Sequence, residues 1–363
     1  MRRFALASLL AAVCAVAPTA SESTASGDPA VNLPKLDILF VVDNSGSMSQ
    51  EQASLTVNLP LLLDQVAARV GALPDLHIGV VSSSVGIGGY SAQGCTGNGD
   101  NGKLQNTPRT AGCGFEQHME GVKRALDGVT NPTTNANFLR DDAYLAVIFL
   151  ADEDDCSAAD PSVFDTTQTH SSDPLGAFQS YRCTEFGVTC DGAPLPRSPG
   201  EYTDCAPRLD SYIADPADYV AFLTALKGGD PNQVFAAAIV GASSPFAVAL
   251  DGDGNPKLEP SCTSEMGTAD PGVRLAAFVS AFPYHRLASI CADDLSMALV
   301  DVGTEMGDAV MHSPRAVVPA APLPLIPAGA ADCQVATTPT SGGLACAALA
   351  ALSLAFLCRR RSR

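Results

Sequence analysis

Apolar residues fall along this chain in two alternating periods. Residues 36–42, Leu-Asp-Ile-Leu-Phe-Val-Val, form a run of β-formers too short for a lone helix, which predicts a buried strand. The run ends abruptly in Asp43-Asn44-Ser45-Gly46-Ser47-Met48-Ser49. Beyond it Leu55, Leu59, Leu62, Leu63, Val66 and Val70 recur at helical spacing. Ser49 with Gln52 three residues on has the form of a capping box, and Pro60 predicts a kink in that helix. The alternation then repeats. Strands are predicted over 76–82, 144–150 and 234–240. Helices are predicted where Phe115, Met119, Val122 and Leu126 share a face, where Tyr219, Phe222, Leu223 and Leu226 do so, and over 273–282 and 293–311. Strand and helix in turn predict an α/β fold, whose sites lie at the carboxyl ends of the strands.

Two stretches break the pattern. Residues 86–114 are Gly- and Asn-rich and enclosed by Cys95 and Cys113. Residues 157–214 are rich in Pro, Gly, Ser and Asp and hold three cysteines. Both read as insertions pinned by disulfides near the strand ends. Within them and beyond, Asp100, Asn101 and Gln105 offer oxygens to a calcium ion, but a solvated turn is the better reading. Asp251-Gly252-Asp253-Gly254-Asn255 opens like a calcium loop, but it has Pro256 in place of the glycine such loops need and Cys262 in place of the closing glutamate. His77 reads as a structural strand residue.

The chain ends have their own character. Residues 1–25, with Arg2 and Arg3 before an apolar run, predict a secretory signal and a short spacer. Residues 34–312 form the folded domain, 313–340 a Pro/Ala-rich linker, and 341–363 an apolar segment closed by Arg359, Arg360, Arg361 and Arg363. That last segment reads as a membrane span at the short end of the usual length, with its arginines on the cytoplasmic side.

Composition narrows the function. The 363 residues carry a net charge of −18, and six of the 21 basic residues lie at the two ends, so a chain without them stands at about −24. Nucleic acid is therefore not an expected partner. Of twelve cysteines, eight lie between 95 and 291. In an exported chain, an even set of this kind predicts about four disulfides. Local loop closure favours Cys95 with Cys113 and Cys262 with Cys291, leaving Cys156, Cys183, Cys190 and Cys205 unassigned. No C-x-x-C occurs, so a zinc site is not expected.

The candidate chemistry sits at two strand ends. Asp43, Ser45 and Ser47 make the pattern D-x-S-x-S, a set of hard oxygen ligands with few charges that suits Mg²⁺ or Mn²⁺. The strand over 144–150 ends in Ala151-Asp152-Glu153-Asp154-Asp155-Cys156, a rim of four carboxylates expected to attract a cation. With the preceding strand and following helix, D-x-S-x-S resembles the metal-ion-dependent adhesion site of von Willebrand factor type A domains. The phrases at 114–117, 152–157 and 289–291 look like those of exported myxobacterial members.

The resemblance implies a doubly wound, mostly parallel sheet and a divalent cation, Mg²⁺ or else Mn²⁺ or Ca²⁺. It implies two serine hydroxyls on the metal and Asp152 as the third-loop aspartate. Where the family has a second-loop threonine, this chain has Glu116, with Thr110 as the alternative. A glutamate there favours metal retention but weakens the pull on an acidic side chain of a protein partner. The tail resembles a MYXO-CTERM sorting signal with Cys333 or Cys346 as processing residue, which implies a cell-surface or secreted protein. A permanent inner-membrane anchor is the alternative.

Enzyme activity is not expected. A phosphohydrolase that used the strand-end aspartate would need a second carboxylate where this chain has Ser45, and neither G-x-S-x-G nor H-E-x-x-H occurs. The expected function is cation-dependent protein binding or adhesion, the alternatives being a structural use of the same fold and, behind it, a metal-dependent hydrolase.

Overall fold

The computed structural model describes residues 33–313, apart from 93, 94, 96, 98 and 106–111. The signal, linker and tail assignments therefore lie outside the described residues, except that Ser313 closes the domain. Its backbone bonds to Val310 and its buried hydroxyl donates to Gln233 at 2.9 Å.

Five strands build one fully parallel sheet: β1 (Lys35–Val42), β2 (Asp75–Ser82), β3 (Tyr144–Leu150), β4 (Val234–Val240) and β5 (Tyr284–Ser289), in the order β5-β4-β3-β1-β2. Six helices accompany it: α1 (Ser49–Val70), α2 (His118–Leu126), α3 (Tyr181–Gly187), α4 (Pro216–Leu226), α5 (Val273–Ser280) and α6 (Ser296–His312). The apolar runs are continuous because the sheet is covered on both faces. Leu36, Ile38 and Phe40 point into a core shared with α1 and α6, whereas Leu39 and Val41 point into one shared with α2, α4 and α5. All of these strand residues are at most 2% exposed.

Two local expectations change. The capping box does not form, because the chain enters α1 through a 3₁₀ turn at Gly46–Met48 that makes Met48 the N-cap. Gln52 is freed to donate from Nε2 to the Asp43 carbonyl at 3.0 Å, which ties the first turn of α1 to the end of β1. Helix α1 runs on through Pro60 as one element. Strand β1 is not apolar throughout: Asp37, fully buried, takes the Arg140 backbone N–H at 2.7 Å and its Nε at 2.8 Å, so the segment leading into β3 is locked against β1. His77, in β2, is structural as read, with Nδ1 2.7 Å from the Phe138 carbonyl.

Four disulfides join Cys95–Cys113, Cys156–Cys183, Cys190–Cys205 and Cys262–Cys291. Both locally favoured pairs form, and the middle four link in chain order. The two insertions share one small core in which Phe115 packs on Phe164 and Phe178, with ring centroids 5.2 and 5.0 Å apart. Beside it lies Arg182 of α3, 1% exposed, whose guanidinium donates to the carbonyls of Val163, Asp165, Gln168, Gly176 and Ala177. One buried cation thus gathers a loop that has little regular structure of its own. Among the described residues no helix is long and apolar enough to cross a membrane.

Two outcomes follow for stability. Arg182→Met removes the donor from five buried or half-buried carbonyls and should cost about 3–5 kcal/mol, read by denaturant unfolding, with the sheet's circular dichroism retained at low denaturant. Thiol labelling of the native, oxidised protein should modify none of the eight cysteines between 95 and 291 beyond trace.

Candidate metal centre

The register of β1 on β3 runs from Leu36 opposite Tyr144 to Val42 opposite Leu150, so the two strands end level. The Asp43 N–H donates to the Leu150 carbonyl at 2.9 Å, extending the ladder by one bond. After β1 the chain turns toward β2, whereas after β3 it leads to β4 on the other side. The strand order therefore reverses between these two ends, which is where open α/β sheets form a crevice.

Asp43 is fully buried at that point. Its Oδ1 accepts the Ser45 N–H at 2.6 Å, while its Oδ2 has no partner. The half-buried Ser45 and exposed Ser47 bring their hydroxyls to 2.9 Å of each other. Asp152, 8% exposed, lies in side-chain hydrogen-bond reach of both Ser47 and Asp43, and its Oδ1 is likewise unpartnered. The structure thus brings Asp43, Ser45, Ser47 and Asp152 together. Glu116, 2% exposed in the turn before α2, pairs with Glu153 and feels Asp43, and its Oε1 has no partner. Thr110 lies outside the described residues.

Electrostatics marks the same spot. Burial, then repulsion from Asp152 and Glu153, holds the Asp43 carboxyl well above the ordinary range. Burial, then Glu153 and Asp43, does the same to Glu116. Asp152 and Glu153 are also raised, chiefly by burial. Among the described residues no three Asp, Glu, His or Cys side chains are by themselves disposed to hold a metal. The group at these strand ends mixes carboxylates with serine hydroxyls, and its orphaned buried oxygens and mutual repulsion are what a hard divalent cation relieves.

The acidic rim divides in two. Asp152 and Glu153 face the site. Asp154 instead accepts the Arg274 and Leu275 N–H groups at 2.8 and 3.0 Å, capping α5 from outside. Asp155, 1% exposed, accepts the Met119 N–H at the start of α2, the Ser157 hydroxyl and the buried Arg274 guanidinium at 3.1 Å.

Two carboxylates at the site do not stand out in the sequence. Glu51, in the first turn of α1, is 4% exposed, and its Oε2 is unpartnered. Its position one turn after D-x-S-x-S is the signal that could have found it. Asp270 lies beyond the hairpin formed by Cys262–Ser264 and Gly267–Ala269. Burial and then Glu153, Asp152 and Asp154 raise it to about 7. It reaches the site because Gly241, just past β4, lets the chain pass close: a Cβ there would lie 2.1 Å from the Asp270 carbonyl oxygen. Nothing in its local sequence announces that approach.

The two loops weighed as calcium ligands have other partners. Asp100 accepts from the Ser82 hydroxyl at 2.7 Å and from Asn44 Nδ2 at 3.4 Å, so the 86–114 insertion is fastened to the loop after β1. Asp251 accepts the Asp253 and Asn255 N–H groups at 2.9 and 2.8 Å, closing its turn on itself.

No family model matches the chain, and no curated protein matches it. Among solved structures it is similar to proximal thread matrix protein 1 from the mussel byssus, at 13% identity, covering 76% of this chain and 47% of that one with a TM-score of 0.28. It is also similar to the pilus adhesin SpaC from Lactobacillus rhamnosus GG in an open conformation (14% identity, 77% and 30% covered, TM-score 0.34). The pilus adhesin RrgA from Streptococcus pneumoniae is a third (9% identity, 76% and 44%, TM-score 0.31). The chain spans less than half the length of each. At these TM-scores the likeness carries no argument about function.

A pH dependence follows from the raised carboxyls. Each takes up a proton more readily in the folded protein than in the unfolded chain, whose carboxyls titrate near about 4. Their contribution to stability is therefore full below that value and is lost as pH rises through the folded values, about 6 for Asp154 and about 7 for Asp270. In chelator, the melting temperature should fall between pH 5 and pH 8, and millimolar Mg²⁺ should flatten that fall. A melting temperature that rises over this range in chelator contradicts the assignment.

Proposed function

We infer that this is a surface or secreted binding module that uses a divalent cation, Mg²⁺ or else Mn²⁺ or Ca²⁺, to hold a protein partner, on a doubly wound fold of the von Willebrand factor type A kind. One observation carries the reading: buried oxygens of Asp43 and Asp152 stand without partners at level strand ends, beside a pair of serine hydroxyls. The reversal of strand order at that point and helices on both faces support the fold assignment.

Asp43, Ser45, Ser47 and Asp152 would hold the cation, with Glu116 beside them. The cation would supply a positive centre with open positions that a partner's oxygen can enter. The chain's own residues do the rest. Gln52 and the Leu150 carbonyl fix the loop after β1, the Ser45 N–H orients the Asp43 carboxylate, and the disulfide-pinned insertions frame the opening. Four disulfides fit an oxidising compartment. Asp43 has Ser45 and no carboxylate two residues on, which also favours binding over phosphoryl chemistry.

Replacing Ser45 and Ser47 together by Ala tests the reading, because both lie outside the core. Calorimetry should show a 1:1 Mg²⁺ or Mn²⁺ event with the natural chain and none with the double variant. Unfolding should differ by less than about 1 kcal/mol. A wild-type protein that binds no divalent cation at millimolar concentration leaves the structural use of the fold as the better reading. So does a double variant that fails to fold.

A further inference from the structure

Beside the metal centre lies an open cavity of about 140 Å³ that the binding reading does not use. Its lining includes the carboxyl groups of Glu116, Glu153 and Asp270. It also includes apolar groups: Pro256 and Leu258, Tyr181 of α3, and the Cys156–Cys183 disulfide. Gln179, also in the wall, donates to the Pro256 carbonyl and so joins the second insertion to the strand at Pro256–Glu259.

The charges around this space do not balance from within. Arg274 is spent on Asp155 and on the carbonyls of Asp155, Gly187 and Ala214. Lys257 pairs with Glu259 at 3.2 Å on the surface. Asp154 and Asp155 are spent on helix termini and on Arg274. That leaves an acidic excess on the cavity: Glu116 and Glu153 share a hydrogen bond but Glu116 Oε1 has no partner, and Asp270 feels Lys257 less than it feels the carboxylates of Glu153, Asp152 and Asp154. A bare ion would satisfy the acidic groups and leave the apolar ones idle. A long side chain with an apolar stem and a cationic tip satisfies both.

We propose that this cavity is a specificity pocket for a basic residue, Arg or Lys, of the protein partner, seated beside the cation that holds the partner's oxygen. The proposal deepens the binding reading and rests on it for the presence of a protein partner. The pocket itself does not need the metal. It also gives Glu116 a purpose: a glutamate where a threonine is expected weakens the attraction for an acidic group and strengthens it for a basic one.

The test uses the full chain and two blocked peptides, acetyl-Gly-Arg-Gly-amide and its citrulline counterpart, which has the same shape without the charge. Binding is followed by calorimetry or NMR line broadening, in chelator and in millimolar Mg²⁺. The arginine peptide should bind and the citrulline peptide should not. Glu153→Gln with Asp270→Asn should weaken the arginine peptide by about tenfold or more. Ser180→Lys, which sets a tethered ammonium at the exposed rim, should abolish binding and keeps the proposal testable should the first variant not fold. Ser45→Ala with Ser47→Ala should leave peptide binding intact, which separates failure of the pocket from failure of the metal centre. The proposal is overturned by equal binding of the citrulline peptide, or by wild-type affinity in Ser180→Lys or in a folded Glu153→Gln/Asp270→Asn variant. It is also overturned by competitive loss of the arginine peptide on adding Mg²⁺ to the Ser45→Ala/Ser47→Ala protein, since the carboxylates would then be metal ligands.

Discussion

Everything near the candidate site answers to one constraint: two parallel strands in fixed register end level and bring Asp43 and Asp152 into the same dry space. Strand pairing, helix cover on both faces and the buried Asp37–Arg140 lock all hold that register. Neither strand can slip by one residue without turning its whole apolar set over to the other face. The repulsion between the carboxylates is thus imposed by the core, and the surrounding loops are arranged to tolerate it.

That tolerance takes three forms. Backbone donors absorb part of the charge, as the Ser45 N–H does for Asp43. Carboxylates further along the rim are turned to helix termini, so Asp154 and Asp155 hold α5 and α2 in place. The remaining groups keep raised affinity for protons or for a cation. The insertions are fastened to the same region from outside. Asp100 bonds to Asn44, and the turn at Gly112 passes so close that a Cβ there would lie 2.1 Å from the Asn44 side-chain oxygen. Movement of the loop after β1 is in this way coupled to the disulfide-bonded loops that frame it.

Much of this was legible in the sequence. The apolar runs at 36–42, 144–150 and 234–240 became central strands, and D-x-S-x-S and Asp152 emerged at adjacent strand ends, because a short apolar run followed by a polar break has few other uses. What the sequence could not separate was the four-carboxylate run at 152–155. Identical residue types there serve as site groups and as helix caps, and only the positions of α2 and α5 in space distinguish them. Asp270 was invisible for a similar reason: its approach depends on a contact with Gly241, 29 residues earlier. The failed capping box is a local case. The spacing Ser49 to Gln52 was right, but the 3₁₀ turn gave Gln52 a carbonyl to bind, and the loop after β1 gained rigidity at the helix's expense.

The same electrostatic constraint explains the choice of ligands in the loop after β1. With Asp43, Glu51, Glu116, Asp152, Glu153 and Asp270 already gathered, one more carboxylate at position 45 or 47 would add a repulsion of about 4 kcal/mol for each neighbour at 4 Å. Neutral hydroxyls offer the same hard oxygen to a cation without that cost. They also leave part of a bound cation's charge unsatisfied, so it can attract a group from outside the chain. Carboxylates at both positions would neutralise it and close the site on itself. The serines therefore suit a centre that presents its charge to a partner, and the acidic wall next to it suits a partner whose surface carries charges of both signs.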